Sequence, residues 1–335
     1  MKISNNNFIL HLLLMISLHA SLSADTISFV MDNDAFANED SGYTSGVRLG
    51  WLGDEISDIN KSELSYGRFM EGTVELIPFL SLDHSKKHNA GMSLYQMMYT
   101  PEDISKKRPQ YHDIPYSGTL LASFFLFEWD EDSYHEYSID LGMVGPSTKT
   151  EQVQKSVHKM TGNREPEGWD NQLDDQFLGG IAYGYGNKSW KSEDRASYKS
   201  DWVNSVRFQL GNFNTGVSVS SILRFGDNYP ENFNSIFPGS LTNSGLLSLP
   251  HNSDRLGWST SLGVAGDAVS YFYVIDSADD YDVSRNRFSA SAVASASLFY
   301  SGMELTFSIL TRTKLIDEAS SNVVTFGRLA FLYHF

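Results

Sequence analysis

Three polar clusters in the first half of the chain carry side chains that could do chemistry. The first, MDNDAFANEDSGYTSG, contains Asn33, Asp34 and Thr44. Short carboxylate and amide oxygens of this kind are ligands for Ca²⁺, and a hydroxyl or amide can polarise a carbonyl. The same residue types are also ordinary in turns, and the segment lacks the full EF-hand pattern. A calcium site and a plain polar loop therefore both remain open.

The second cluster, TPEDISKKRP, contains the cationic run Lys106, Lys107 and Arg108 in an otherwise acidic chain. Basic side chains can hold lipid phosphates, which lysine binds as a point charge and arginine as a fork. The alternative is a solvated charge run.

The third cluster, KTEQVQKSVHKMTG, predicts a helix that ends at Gly162. Gln154 and His158 are four residues apart, so their side chains share one face of that helix. A histidine is more often structural than catalytic. Beside a metal site and a phosphate site, however, it would complete a hydrolytic arrangement as the general base.

The elements that must position these clusters are strands. Apolar and polar residues alternate with a period of two along most of the chain, for example at 137–143, 288–298 and 303–309. The last eight residues, RLAFLYHF, alternate in the same way and end on Phe335, which is typical of lipid-facing bacterial barrels. A soluble β-sandwich that ends in phenylalanine is the alternative. We predict an all-β, transmembrane antiparallel barrel with twelve strands at 26–32, 43–52, 89–99, 118–130, 134–144, 177–190, 201–213, 215–227, 256–276, 286–299, 303–316 and 323–335.

Composition excludes several other classes of protein. The chain has no cysteine, which excludes disulfide scaffolds and thiol-ligated metals, and its net charge of −16 would repel nucleic acid. Residues 1–24 are predicted to be a secretory signal peptide, cut after Ser23 or Ala24, which leaves a barrel domain at 25–335. Beyond this leader no apolar run approaches the roughly 18 residues of a spanning helix.

Strand parity sets the side of the membrane on which each connection lies. With both termini in the periplasm, all three polar clusters fall at the extracellular ends of neighbouring strands. The connections 53–88 and 228–255 fit less well, because they are long and parity assigns them to the periplasmic side.

Several motifs together resemble the lipid A 3′-O-deacylases, the LpxR-like barrels of the outer membrane. The matching stretches are DNDAF, YTSG, QMMYTPEDI, SKKRP, DIPYSG, GPSTKTEQVQKSVHKMTG and EGWDNQL. The resemblance implies a twelve-stranded barrel in the outer membrane whose active site lies between the wall and a helix. It also implies Ca²⁺-dependent hydrolysis of the ester-linked 3′ acyloxyacyl group of lipid A in the outer leaflet.

The resemblance also implies a role for each matching residue. His158 would be the general base, Gln154 and Thr44 would orient water or substrate, Asn33 would support the oxyanion or the metal, and Asp34 would bind Ca²⁺. Lys106, or its neighbour Lys107, would engage a glucosamine phosphate. An acidic residue of the family that follows the histidine has no clean counterpart, since Arg164 falls near that register and Glu165 is next.

Two other functions stay open at this stage. One is a channel or adhesin barrel whose polar clusters only line a mouth, since a barrel of this size has room for a narrow pore. The other is a barrel enzyme with a serine nucleophile, although no Gly-x-Ser-x-Gly motif is present in these clusters.

Overall fold

A computed structural model describes residues 25–33, 42–55, 70, 72–74, 82–192, 198–230, 233 and 253–335. Within these residues the strands form one closed antiparallel barrel, in which each strand pairs with its sequence neighbours and the first pairs with the last. The predicted all-β, twelve-stranded fold is confirmed. The strands are β1 (Thr26–Asn33), β2 (Gly42–Leu52), β3 (Lys87–Thr100), β4 (Ser117–Trp129), β5 (Ser133–Val144), β6 (Gln176–Lys191), β7 (Lys199–Gly211), β8 (Asn214–Asp227), β9 (Gly257–Phe272), β10 (Phe288–Tyr300), β11 (Met303–Thr313) and β12 (Val323–His334).

The alternation along the strands separates an apolar outer wall from a polar lumen. In β10 the alanines 292, 294 and 296 are exposed, while the alternating residues Ser295 and Ser297 are buried. The neighbouring strands continue the outer face with exposed Leu262 and Ile309. A soluble sandwich would bury its apolar face, so this arrangement fits a barrel surrounded by lipid.

Buried charges inside the barrel are paired across strands. Arg207 Nη1 lies 2.5 Å from Glu136 Oε2, and Arg224 Nη2 lies 2.6 Å from Asp201 Oδ2. An unpaired buried ion would cost several kcal/mol of folding free energy. Pairing each arginine with an acidic side chain therefore allows the lumen to contain buried charges.

An apolar cluster fills the end of the lumen that strand parity predicts to be extracellular. Ile114 and Ile316 from two connections at that end pack there with Val274 and Ile275. These two residues lie in a short helix, α2 (Tyr273–Asp276), which follows the longer helix α1 (Thr150–Thr161) in the chain. Helix α2 corrects the predicted end of β9 at residue 276. The strand stops at Phe272 because the next apolar residues turn inward to fill the mouth. This packing disfavours an open channel.

The long connections that strand parity assigns to the periplasmic side pack against the barrel where they are described. Met70 and Val74 lie on the outer wall against Leu126 and Tyr137, and Phe233 lies inside the lumen beside Tyr134. The predicted signal peptide lies outside the described residues. None of the helices in the described ranges has both the length and the apolar character needed to cross a membrane.

The depth of each outward-facing position in the membrane can be tested on the outer wall. Ala294 lies at the centre of β10 and Ala290 lies near its extracellular end, and both are exposed. We expect Ala294→Arg to destabilise the barrel by about 2–4 kcal/mol and Ala290→Arg by about 0–1 kcal/mol, because the cost of a charge falls towards the interface. Denaturant unfolding in phospholipid vesicles measures both values. Equal costs at the two positions would contradict a membrane-spanning β10.

Candidate functional site

A helix packs on the outside of the barrel at the extracellular end of β3 and β4. This helix, α1 (Thr150–Thr161), ends at Gly162, whose φ of 73° is the left-handed cap that glycine adopts without strain. Gln96 in β3 donates through Nε2 to the Thr150 hydroxyl at 3.2 Å. In β4, a Cβ at Gly118 would collide with Thr150, so the close approach of helix and wall requires glycine there. The predicted helix is confirmed.

The polarity of α1 is the reverse of that in a helix on a water-soluble protein. Its buried stripe is Thr150, Gln154 and His158, all polar. Val153, Val157 and Met160, spaced as one stripe, are 39%, 41% and 79% exposed. A helix that turns polar residues to the protein and apolar residues outward fits an environment of acyl chains.

His158 is buried, and the contact of one ring nitrogen fixes its tautomer. Nδ1 lies 2.5 Å from the carbonyl oxygen of Arg164. A carbonyl only accepts hydrogen bonds, so Nδ1 carries the hydrogen and Nε2 of the neutral ring holds the free lone pair. His158 is therefore oriented to accept a proton at Nε2. Arg164 contributes to this contact through its main-chain carbonyl and not through its side chain.

Gln154 is held in one orientation by a residue that was not predicted as part of the site. The indole Nε1 of Trp169 donates to Gln154 Oε1 at 2.7 Å. The Gln154 Nε2 amide is buried and has no hydrogen-bond partner among the described residues. Leaving a buried donor unpaired costs about 1–3 kcal/mol, so this amide is poised to donate to an added oxygen atom. The EGWDNQL stretch, which contains Trp169, is the sequence signal that could have identified this residue.

Asn33 reaches the same outer face through strand register. It ends β1 opposite Ser45 of β2, Ser45 lies opposite Met98 of β3, and Met98 lies opposite Gly118 of β4. Neighbouring strands are about 4.8 Å apart, so this row leads from Asn33 to the wall under α1 over about 14 Å.

The remaining residues of the first cluster are described in part or not at all. Thr44 lies in β2 at a bulge between Tyr43 and Ser45, and its side chain is outside the described part of the chain. Asp34 also lies outside the described residues. The predicted roles of these two residues remain predictions.

The two predicted lysines lie in the connection between β3 and β4 and are exposed. Lys106 Nζ is 3.5 Å from Asp103 Oδ2, and Lys107 Nζ is 3.4 Å from Glu167 Oε2. Hydrogen bonds from Ser105 lower the pKa of Asp103, so the carboxylate beside Lys106 stays charged. Exposed pairs of this kind contribute little to stability, and an anionic ligand can compete for both lysines.

The connection that follows α1 joins the helix to this basic segment. The N–H of Glu167 donates to the carbonyl of Ile104 at 2.8 Å, and Asn171 Nδ2 donates to the carbonyl of Lys107 at 2.6 Å. The structure therefore brings together His158, Gln154 and the basic connection at one end of the outer wall.

Fold and site define an outer-membrane β-barrel that carries a polar site on its lipid-facing side. A family model described as "Outer membrane protein LpxR" matches residues 8–335, and the chain belongs to this family. LpxR from Salmonella typhimurium has a similar structure, with a TM-score of 0.72 and 15% identity over 92% of this chain and 100% of that one. The β-domain of the Bordetella autotransporter BrkA matches at a TM-score of 0.45 and 11% identity, over 93% of this chain and 98% of that one. A comparison with curated protein sequences finds no match.

The apolar stripe of α1 can be located by spin labels, because the chain has no cysteine of its own. We expect a label at Met160→Cys to be relaxed more by oxygen than by a water-soluble nickel chelate in vesicles. A label at Gln152→Cys, an exposed polar position of the same helix, should show the opposite preference. Equal access of the chelate to both labels would contradict contact between α1 and lipid.

Proposed function

We propose that the protein is a carboxylic ester hydrolase that removes the 3′-linked acyloxyacyl group of lipid A in the outer leaflet. The observation that carries the proposal is the buried stripe of α1, where the Nε2 lone pair of His158 and the unpaired amide of Gln154 lie one helical turn apart. Membership of the LpxR family and the position of the stripe on the lipid-facing side support a lipid substrate.

The chain's own residues supply a path for the proton. His158 Nε2 accepts a proton from water as the water oxygen attacks the acyl carbonyl. The Gln154 amide donates to the oxygen that gains negative charge, while Thr44 orients water or substrate. The tetrahedral intermediate then breaks its bond to the sugar oxygen, which takes the proton from His158. The products are a fatty acid and a free sugar hydroxyl, and no covalent enzyme intermediate forms.

Calcium is part of the proposal, with Asp34 as its ligand. The described residues do not form a calcium cage by themselves, because no group of three or more histidine or acidic side chains among them could hold a metal ion. A bound Ca²⁺ would polarise the ester carbonyl. Its ligands would come from Asp34 and from substrate oxygens, together with the amide oxygen of Asn33.

The basic connection supports recognition of a phosphorylated sugar. Lys106 and Lys107 are 58% and 79% exposed and are tied through Asn171 and Glu167 to the segment that follows α1. A glucosamine phosphate bound there would lie beside the helix, and the acyl chains would extend along its apolar stripe. The channel alternative gains no support, because apolar side chains fill the extracellular end of the lumen.

The test of the general base is His158→Ala. Loss of a general base typically lowers the rate by ~10²–10⁴-fold. We expect a loss in this range, measured by mass spectrometry of lipid A and by release of the acyloxyacyl chain in detergent. His112→Ala is the control, because His112 is an exposed histidine on the neighbouring extracellular connection. Near-wild-type release from a His158→Ala barrel that shows normal heat-modifiable mobility would refute the assignment.

The test of calcium is a titration after treatment with a chelator. We expect hydrolysis to require added Ca²⁺, and Asp34→Ala to shift the titration to higher concentration, because an acidic side chain is a preferred ligand of this cation. Mg²⁺ is the control, since it demands a tighter octahedral geometry. Full hydrolysis in excess chelator would remove the metal from the mechanism.

A further inference from the structure

Trp169 is buried beneath the site and makes one directional contact with it. It lies in a single helical turn, Trp169–Asn171, within the connection between β5 and β6, and is 1% exposed. Its ring packs on Tyr116 at 5.0 Å between centroids and on Met98 of the outer wall. The preceding residue must be glycine, since a Cβ at Gly168 would collide with Tyr116. Packing alone therefore fixes the position of the indole ring, independently of the hydrogen bond from its N–H.

We propose that Trp169 is a positioning residue for the ester hydrolysis, because it sets which end of the Gln154 carboxamide faces the reacting carbonyl. The inference rests on the proposed function and extends it to a buried residue that acts through its hydrogen bond to Gln154. An indole N–H can only donate, so it selects Oε1 of Gln154 and turns the NH₂ group the other way.

The opposite orientation of the amide is disfavoured by the same contact. It would place the Gln154 NH₂ group against the Trp169 N–H, two buried donors without an acceptor. Gln154 is buried, with 2% of the residue exposed, so bulk water does little to relieve such a contact. The NH₂ group is thus held ready before substrate arrives, and a preorganised donor is what an oxyanion requires.

The connection that carries Trp169 also orients the general base. Arg164, in the same connection, accepts from Nδ1 of His158. One segment therefore fixes both the lone pair of His158 and the donor of Gln154. Packing of Gly168 against Tyr116 and the bond from Asn171 to the carbonyl of Lys107 hold this segment on the basic connection.

The experiment separates positioning from packing. Trp169→Phe keeps an aromatic ring but removes the N–H, and we expect kcat to fall about 10–100-fold with KM within twofold. This is less than the ~10²–10³-fold loss typical of deleting an oxyanion donor. Gln154→Met removes the amide, and Trp169→Phe should cause no further loss in that background. Unchanged turnover in Trp169→Phe, or losses that multiply in the double variant, would overturn the proposal.

Two further measurements test the proposal if Trp169→Phe does not assemble or if the wild-type protein releases no acyl chain. If that variant fails to assemble, Gln154→Glu tests the premise of the proposal, that the NH₂ group is required, because it keeps the acceptor for Trp169 but has no NH₂ group. We expect it to assemble and to lose turnover as Gln154→Met does; wild-type turnover would overturn the proposal.

If the wild-type protein releases no acyl chain, the proposed function fails, and the contact is judged by NMR of the indole N–H groups. The Trp169 resonance, identified by its absence in Trp169→Phe, should shift upfield in Gln154→Met and stay in place in Ser156→Ala. An unchanged resonance in Gln154→Met would overturn the positioning role.

Discussion

The cost of exposing polar groups to hydrocarbon governs this structure. A strand wall in lipid can satisfy its backbone by closing into a barrel, but any polar side chain that points outward needs a cover. At the extracellular end of β3 and β4 the cover is α1, whose Thr150 accepts from the outward-facing Gln96. Thr150 of the helix and Gln96 of the wall thus satisfy each other's hydrogen bonding. The candidate site lies at Gln154, whose Nε2 amide has no such partner among the described residues.

The same constraint acts at the opposite end of the wall. Glu128 points outward near the periplasmic end of β4 and is buried, and the N–H of Asp83 from the connection before β3 donates to its Oε2 at 2.5 Å. His88 Nε2 lies 3.6 Å from the same oxygen. The connection 53–88, which is long for the periplasmic side, thus has a physical role, since part of it covers a polar patch of the outer wall.

The sequence predicted what depends on periodicity and missed what depends on contacts between distant residues. Period-two alternation predicted all twelve strands, and the glycine that ends α1 helped to predict the helix, because both signals are local. The end of β9 was wrong because Val274 and Ile275 continue the apolar pattern while the chain turns inward. Trp169 could not be paired with Gln154 from the sequence, since a contact across fifteen residues depends on how the connection folds back. The choice between Lys106 and Lys107 stays open, because both side chains form exposed ion pairs in this structure.

The division between lumen and wall explains why a lipid-directed site belongs on the outside. The lumen is occupied by cross-strand ion pairs such as Arg207 with Glu136 and by the apolar cluster at its extracellular end. A large amphiphile could enter there only by displacing that packing and exposing its acyl chains to buried charge. On the outer wall the proposed lipid substrate would arrive by diffusion in the plane of the leaflet and would keep its chains in hydrocarbon. Only its ester and sugar would then have to exchange their contacts in the membrane for contacts with the protein. The buried polar stripe of α1 offers them hydrogen-bonding groups at that depth.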